Sequence, residues 1–426
     1  MSNAYNLSLL ASRNNLGNAG DVFISQGNDI APSLGPLSAG VLSLSGINQL
    51  TSQIGVNKST GVVTISAEPH LCELDVPGWD KGQHVTQWST LQKYLSATAL
   101  TNSTIPASAI YIEQYGSFSG NYAYAGATLA PNGKIYFAPH NATVGAILDP
   151  NNNTITTYGS FPGTTAYGSA TLAPNGKIYF VPFSATVGAI VDPTNNTVTT
   201  YGSFPGNYAY NGGILAPNGN IYFVPQNTAQ GRIINPTNNT VTTYGSFGSF
   251  AYVGATLAPN GKIYFAPHSA TVGAIVDPDN NTVTTYGSFP GSISYSAALL
   301  APNGKIYFAP YSATVGAIVD PNNNTVTTYG SFPGNYAYAG GTLAPNGKIY
   351  LCPHNATVGR FIDPTNNTVT TYGSFPGTNA YSGAPLAANG KIYLVPHTAT
   401  VGRALSLLNN NNFNLNICTN PLLNKY

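Results

Sequence analysis

Four histidines recur at one place in a repeating text. His140, His268, His354 and His397 each follow the proline of an I-Y-[FL]-x-P motif, and sister copies carry Phe183, Gln226 and Tyr311 there. Imidazoles are common zinc ligands, but zinc needs its donors about 2 Å from one point. Equivalent positions on neighbouring repeats are expected to stand too far apart for that, so neither a metal nor a cofactor is expected. Tyr122, Tyr124, Tyr167, Tyr208, Tyr210, Tyr252, Tyr295, Tyr336, Tyr338 and Tyr381 cluster in the connections between repeats. Aromatic faces beside amides suit sugar rings or a protein partner. These tyrosines and the four histidines form the candidate ligand-binding set. Catalytic groups are not apparent: there is no G-x-S-x-G elbow and no P-loop, and in the repeats the acids fall almost entirely in one kind of turn. Hard cations need several oxygen ligands, which cannot be assembled from that pattern. No catalytic residue is assigned, and the chain is read as a non-enzyme.

The positioning elements follow from an internal repeat. The text G-[KN]-I-Y begins at Gly133, Gly176, Gly219, Gly261, Gly304, Gly347 and Gly390, a period of 42 or 43 residues. Each repeat parses into four short strands, a to d. In the first they are Gly126 to Ala130, Lys134 to Ala138, Thr143 to Leu148 and Thr154 to Tyr158. Asn132-Gly133 supplies the positive backbone angles of a tight hairpin, and Asp149-Pro150-Asn151-Asn152-Asn153 is a turn cluster. Strands b and c are continuous apolar runs, as in sheets buried on both faces. Four strands at this period predict an all-β fold, a seven-bladed β-propeller of four-stranded blades over residues 110–426. A small β-rich region, residues 1–109, precedes it. Pairing b with c so that His140 faces Thr143 sets Lys134 opposite Asp149. The same pair recurs as Lys177/Asp192, Lys262/Asp277, Lys305/Asp320 and Lys348/Asp363. In the third repeat both partners change together, to Asn220 and Asn235, which points to a real cross-strand contact. In the seventh the partner becomes Ser406, leaving Lys391 alone. IEQYGSF (112–118) repeats the d-strand text ahead of the first strand a, and FNLNIC (413–418) is a worn version of it. The N-terminal copy is expected to complete the last blade, because closure removes two exposed edges.

Composition narrows the partners. Only 6% of residues are charged, the formal net charge is +1, and the 14 Lys+Arg are dispersed. That excludes the basic stripe of a nucleic-acid binder. No stretch of about 18 apolar residues is present, so no membrane insertion is expected. Three cysteines, Cys72, Cys352 and Cys418, make no disulfide framework. The opening residues lack the basic head and apolar core of a signal peptide. Six N-x-T sequences in the c–d turns, at Asn152, Asn195, Asn238, Asn280, Asn323 and Asn366, read as turn formers. Arg232, Arg360 and Arg403 replace an alanine of strand c and are candidates for an edge where a partner docks.

PNGKIYF and AIVDPTNNTVTTY resemble the repeats of the YVTN/lactonase-type propeller families over about 310 residues. The resemblance implies the fold. Lactonase-like members hold a metal near the axis through acidic and amide side chains, whereas the inner strands here (GATLA, GGILA, SAALL) carry neither acid nor histidine. GDVFISQGNDIAPSLGPL (20–37) resembles an element of bacteriophage and large-virus fibre and virion proteins, and residues 40–67 read as short strands with Gly and Asn turns. Helical spacing of Trp88, Leu91 and Leu95 predicts one helix over 87–95. The expectation is a multicopy virion structural or appendage protein, attached through its N-terminal region to other virion proteins. It would display the propeller for adhesion to host glycan or surface protein. Decoration of the shell is its other expected role. A bacterial extracellular lectin-like adhesin or surface polymer subunit is the alternative, and a lactonase- or lyase-type propeller enzyme the third reading.

Overall fold

The structure, a computed structural model, describes residues 110–407 continuously and four short strands before them. Those four form two antiparallel hairpins, β1 (Asp21–Ile24) with β2 (Ser33–Pro36) and β3 (Ile54–Asn57) with β4 (Val62–Ile65). The helix expected over 87–95 and the worn strand at 413–418 lie outside the described residues. No helix among the described residues is long and apolar enough to cross a membrane.

Residues Ile110–Leu407 form a compact unit. Its first blade is β6 (Tyr124–Leu129), β7 (Ile135–Pro139), β8 (Gly145–Asp149) and β9 (Thr154–Tyr158), paired antiparallel in that order. Strand a reaches back to Tyr124 across a register shift, so it starts earlier than the sequence pattern suggests. Five further four-stranded sheets repeat the order. The seventh blade is composite. Ile392–Leu394 and Gly402–Leu407 provide b and c, and β5 (Ile110–Tyr115) is laid along c as the outer strand, from Gly402↔Tyr115 to Leu407↔Ile110. Its inner strand is reduced to the bridges Tyr381↔Pro396 and Leu386↔Ile392. Blade 7 meets blade 1 through the Ala123 amide on the His397 carbonyl (2.8 Å) and the Ser382 hydroxyl on the Tyr124 carbonyl (2.9 Å). The ring is closed, and its closing strand is the N-terminal one.

The core lies between blades rather than within them. Strand b is buried along its length in each copy, and its side chains alternate between two neighbours. Tyr136 packs with Ile178 and Phe180 of blade 2, while Ile135 and Phe137 pack with Tyr393 and Val395 of blade 7. Polar clasps join the same blades. The Asn132 amide donates to the Pro193 carbonyl (2.8 Å), and the Tyr136 hydroxyl donates to Asn196 Oδ1 (2.7 Å). The motif recurs around the ring, for example at Asn303 and Tyr307 with Pro364 and Asn367, and at Asn389 and Tyr393 with Pro150 and Asn153. The Asn-Gly turn thus has a second task besides reversing the chain: it fastens one blade to the next. In the N-x-T turns the asparagine Oδ1 accepts from the threonine amide and hydroxyl (3.0 and 2.7 Å at Asn152), which is turn chemistry.

The predicted Lys–Asp register is present in all five blades, but the pairs are not equally close. Lys134–Asp149, Lys177–Asp192, Lys262–Asp277 and Lys348–Asp363 meet at 3.1 to 3.5 Å. Lys305–Asp320 keeps the same register as an ion pair at 3.7 Å. The aspartates are also anchored by their own turns, as where the Asp320 Oδ1 accepts from the Asn322 amide (3.0 Å) and its carbonyl from the Asn324 amide (2.8 Å). Lys391 is not alone as expected: its ammonium meets Glu113 Oε1 at 2.9 Å. The carboxylate comes from the closing strand β5 instead of strand c, so the repeat register could not reveal it. The Lys391 contact also holds the Glu113 carboxyl below its ordinary range.

Candidate functional site

One face of the ring collects the b–c loops and the d–a connections. The Phe161 amide bonds the Thr143 carbonyl (2.8 Å), and His140 bonds across to Ala123 and Ala166 through its own backbone (2.8 Å each). This pins the residue after each strand-b proline at the axial end of its blade. The seven such residues form a collar. Ring centroids run His268–Tyr311 6.1 Å, Tyr311–His354 5.6 Å, His354–His397 5.6 Å, His397–His140 5.5 Å and His140–Phe183 5.3 Å. Gln226 occupies the remaining position. The histidines on adjacent blades are therefore in contact, because the blades converge toward the axis there. Steps of that size around a seven-fold circle still carry the next-but-one ring beyond the reach of a single ion. Among the described residues no group of three metal-ligating side chains converges.

The imidazoles are electrically quiet. His140 Nδ1 lies 3.1 Å from the Tyr167 carbonyl and His354 Nδ1 3.0 Å from the Tyr381 carbonyl. A carbonyl only accepts, so each Nδ1 carries the proton when the ring is neutral. Burial lowers the basicity of both, and of His268. His397 is pushed down to about 3, first by burial and then by His140 and His354. The carbonyl that would match its Nδ1 belongs to Tyr124 and is taken by Ser382. Both His397 ring nitrogens are shielded from solvent and without a partner.

The candidate tyrosines divide into two groups. Tyr124, Tyr167, Tyr210, Tyr252, Tyr295, Tyr338 and Tyr381 are at most 5% exposed. Several donate their hydroxyls to b–c loop carbonyls, as Tyr252 does to Val272 and Tyr338 to Val358 (3.1 Å each). These seven are wall posts, not ligand contacts, because strand a carries their rings between blades. Tyr122, Tyr208 and Tyr336 are 40, 41 and 39% exposed and have φ of 56, 61 and 57°. That left-handed backbone is unusual for a bulky residue. It is held by the Asn141, Asn227 and Asn355 amides on their carbonyls (3.0, 3.1 and 3.1 Å). Each ring leans on the collar residue of the preceding blade: Tyr122 on His397 (4.9 Å), Tyr208 on Phe183 (4.9 Å) and Tyr336 on Tyr311 (5.0 Å). Phe250, at the equivalent position in blade 4, is equally exposed and was not singled out from sequence; nor were Phe183 and Tyr311 as contact residues.

Collar and rim enclose a funnel of about 330 Å³, whose lining includes Tyr122, His140, Phe183, Tyr311, His354 and His397, with no Lys, Arg, Asp or Glu. The b–c loops on this face also expose Val144, Val187, Val272, Val315 and Val358. The Lys–Asp pairs and Asn-rich turns lie at the opposite ends of the strands. Arg360 stacks on Phe332 (5.2 Å) and donates to the Ser331 carbonyl. Arg232, Arg360 and Arg403 fall in blades 3, 6 and 7, so no single edge gathers all three.

No family model matches the chain, and no curated protein does. Solved structures similar to it are propellers. Streptogramin B lyase has 17% identity and a TM-score of 0.60 over 70% of this chain and 98% of that one. Virginiamycin B lyase from Staphylococcus aureus has 16% identity and a TM-score of 0.60 over 70 and 100%. The extracellular domain of a hybrid two-component system from B. thetaiotaomicron has 14% identity and a TM-score of 0.55 over 70 and 42%. At these identities the likeness is one of fold.

Proposed function

We propose that this chain is a non-enzymatic binding propeller, carried on a virion or appendage by its first 109 residues and working by adhesion to a host glycan or surface protein. The observation that carries the binding part is the gathering of exposed aromatics on one face, around an uncharged funnel. Tyr122, Tyr208 and Tyr336 are exposed, their backbone is held by hydrogen bonds at their carbonyls, and they present flat rings beside amides. A general acid or base works best with a pKa near the operating pH, and burial drives these histidines away from it. The similar lyases act on streptogramins by their names; without a carboxylate in this funnel, binding is the better reading here. The virion placement rests on the resemblance of residues 20–37 to fibre proteins.

A glycan array probed with the full chain tests the reading. The wild type is expected to mark a defined subset of glycans. Y122S/Y208S/Y336S should lose at least tenfold of that signal with an unchanged melting temperature, while K177Q/D192N on the other face should keep it. An unaffected triple variant, or a chain absent from purified particles by mass spectrometry, contradicts the corresponding half of the proposal.

A further inference from the structure

The funnel is eccentric. Its lining is built mainly from blades 5, 6, 7, 1 and 2, with Tyr208 at one side. Variation among the collar and rim residues therefore makes this mouth one-sided, not seven-fold. About 330 Å³ is at the small end of ligand sites, which run from about 300 to 1,000 Å³. The lining combines flat rings with amides and hydroxyls and carries no fixed charge. Asn379 Nδ2 reaches the Tyr122 hydroxyl (3.3 Å), bridging blades 7 and 1 over the collar. Below them lies His397, whose two ring nitrogens have no partner. A neutral imidazole offers one donor and one acceptor, and leaving both unmet in a buried site costs free energy. Their natural complement is a group that both donates and accepts, which is what a hydroxyl does.

Resting on the binding function proposed above, we infer that the funnel takes one uncharged sugar residue at the end of a glycan chain, a single site per protein. Rings of the collar and rim stack on the sugar face, and its hydroxyls meet Asn379 and, once the Tyr122 ring that leans on the imidazole swings aside, the shielded His397 nitrogens. The titratable groups around His397 are Tyr122, His140, His354 and Tyr311; an acidic sugar finds no cation there, since no Lys or Arg lines the funnel and burial lowers the basicity of the three histidines. A sugar amine or a choline-like cation finds aromatic faces but no carboxylate.

Isothermal titration of the full chain with neutral methyl hexosides and N-acetylhexosaminides, N-acetylneuraminic acid and choline tests this. One neutral sugar class should bind with a stoichiometry of one. Affinity should fall at least tenfold in H397F and in N379A and stay unchanged in K177Q/D192N. H397F is built to fold, because Phe183 fills the same position in blade 2. Binding should also be level between pH 7.5 and 5.5: His397 is pushed down to about 3 and stays neutral across that window, and burial moves His140 and His354 in the same direction. Stoichiometry of several per chain, preference for the acidic sugar or choline, no binding of any monosaccharide, or full affinity in H397F each overturns the inference. An array signal lost in the triple tyrosine variant would leave the broader adhesion reading standing in every such case.

Discussion

A chain begun at Ser119, lacking Ile110–Tyr115, is expected to lose its cooperative native state. The removed strand pairs with all of Gly402–Leu407 and covers the last open edge of the ring. Tyr115 is buried, and its hydroxyl donates to the Leu394 carbonyl at 2.7 Å. Ile110 and Ile112 pack on the cluster around Phe361 and Leu405. Full burial of a side chain of this size is worth about 1.5 to 3 kcal/mol, and the two isoleucines, being partly buried, each contribute less than that. The loss is therefore on the order of 5 kcal/mol before the bared edge and the orphaned Lys391 are counted, set against total stabilities of roughly 5 to 15 kcal/mol. Thermal unfolding followed by circular dichroism should show no sharp transition, or one at least 15 °C lower, with aggregation through the exposed edge. A chain begun at Ala109 should melt as the full protein does. If both truncations melt alike, β5 does not close the ring.

The second large effect is expected at a glycine that owes nothing to backbone freedom. The Tyr201 ring lies directly on Gly188, so that a methyl group there would overlap it. That ring is buried, and its hydroxyl donates to the Phe180 carbonyl at 3.0 Å. The arrangement recurs at every blade, from Gly145 under Tyr158 to Gly402 under Tyr115. G188A should cost about 3 kcal/mol, the upper part of the range for overpacked cores, and lower the urea midpoint with little change in slope. G188A/Y201L should recover part of the loss, giving a coupling energy above about 1 kcal/mol. If the effects are additive, the ring does not rest on the glycine.

Much of this was legible because the chain carries its own comparison set. The period gave the blade number, the Asn-Gly turns located the a–b hairpins, and the fifteen-residue Lys–Asp spacing gave the b–c register that the ion pairs show. Glu113 escaped because β5 pairs across the whole length of the chain, outside any repeat. The tyrosines were misjudged for a different reason. Tyr124 and Tyr122 stand two residues apart, and composition alone treats them alike. Variation between copies separates them. The Tyr124 position is tyrosine in all seven repeats and is buried, whereas the Tyr122 position also holds Thr165, Phe250, Ile293 and Asn379 and faces outward. The collar varies likewise, from histidine to phenylalanine, glutamine and tyrosine. The clasp between blades is the reverse case. Asn132 and Tyr136 recur unchanged, as parts of one repeated joint should, but their partners sit about 60 residues away, too far for any local pattern to disclose.

The account stands on the difference between the two faces of one closed ring. With Cys72 and Cys418 changed to serine, a single cysteine can be placed at Val187 beside the funnel or at Asn195 in the opposite turn, and each carries a bulky polyethylene glycol. Binding to the array-positive glycan, read by surface plasmon resonance, should fall at least tenfold for the tag at 187 and stay within twofold for the tag at 195. Blockage by the tag at 195, or indifference to both, would contradict the assignment of the aromatic face as the binding face.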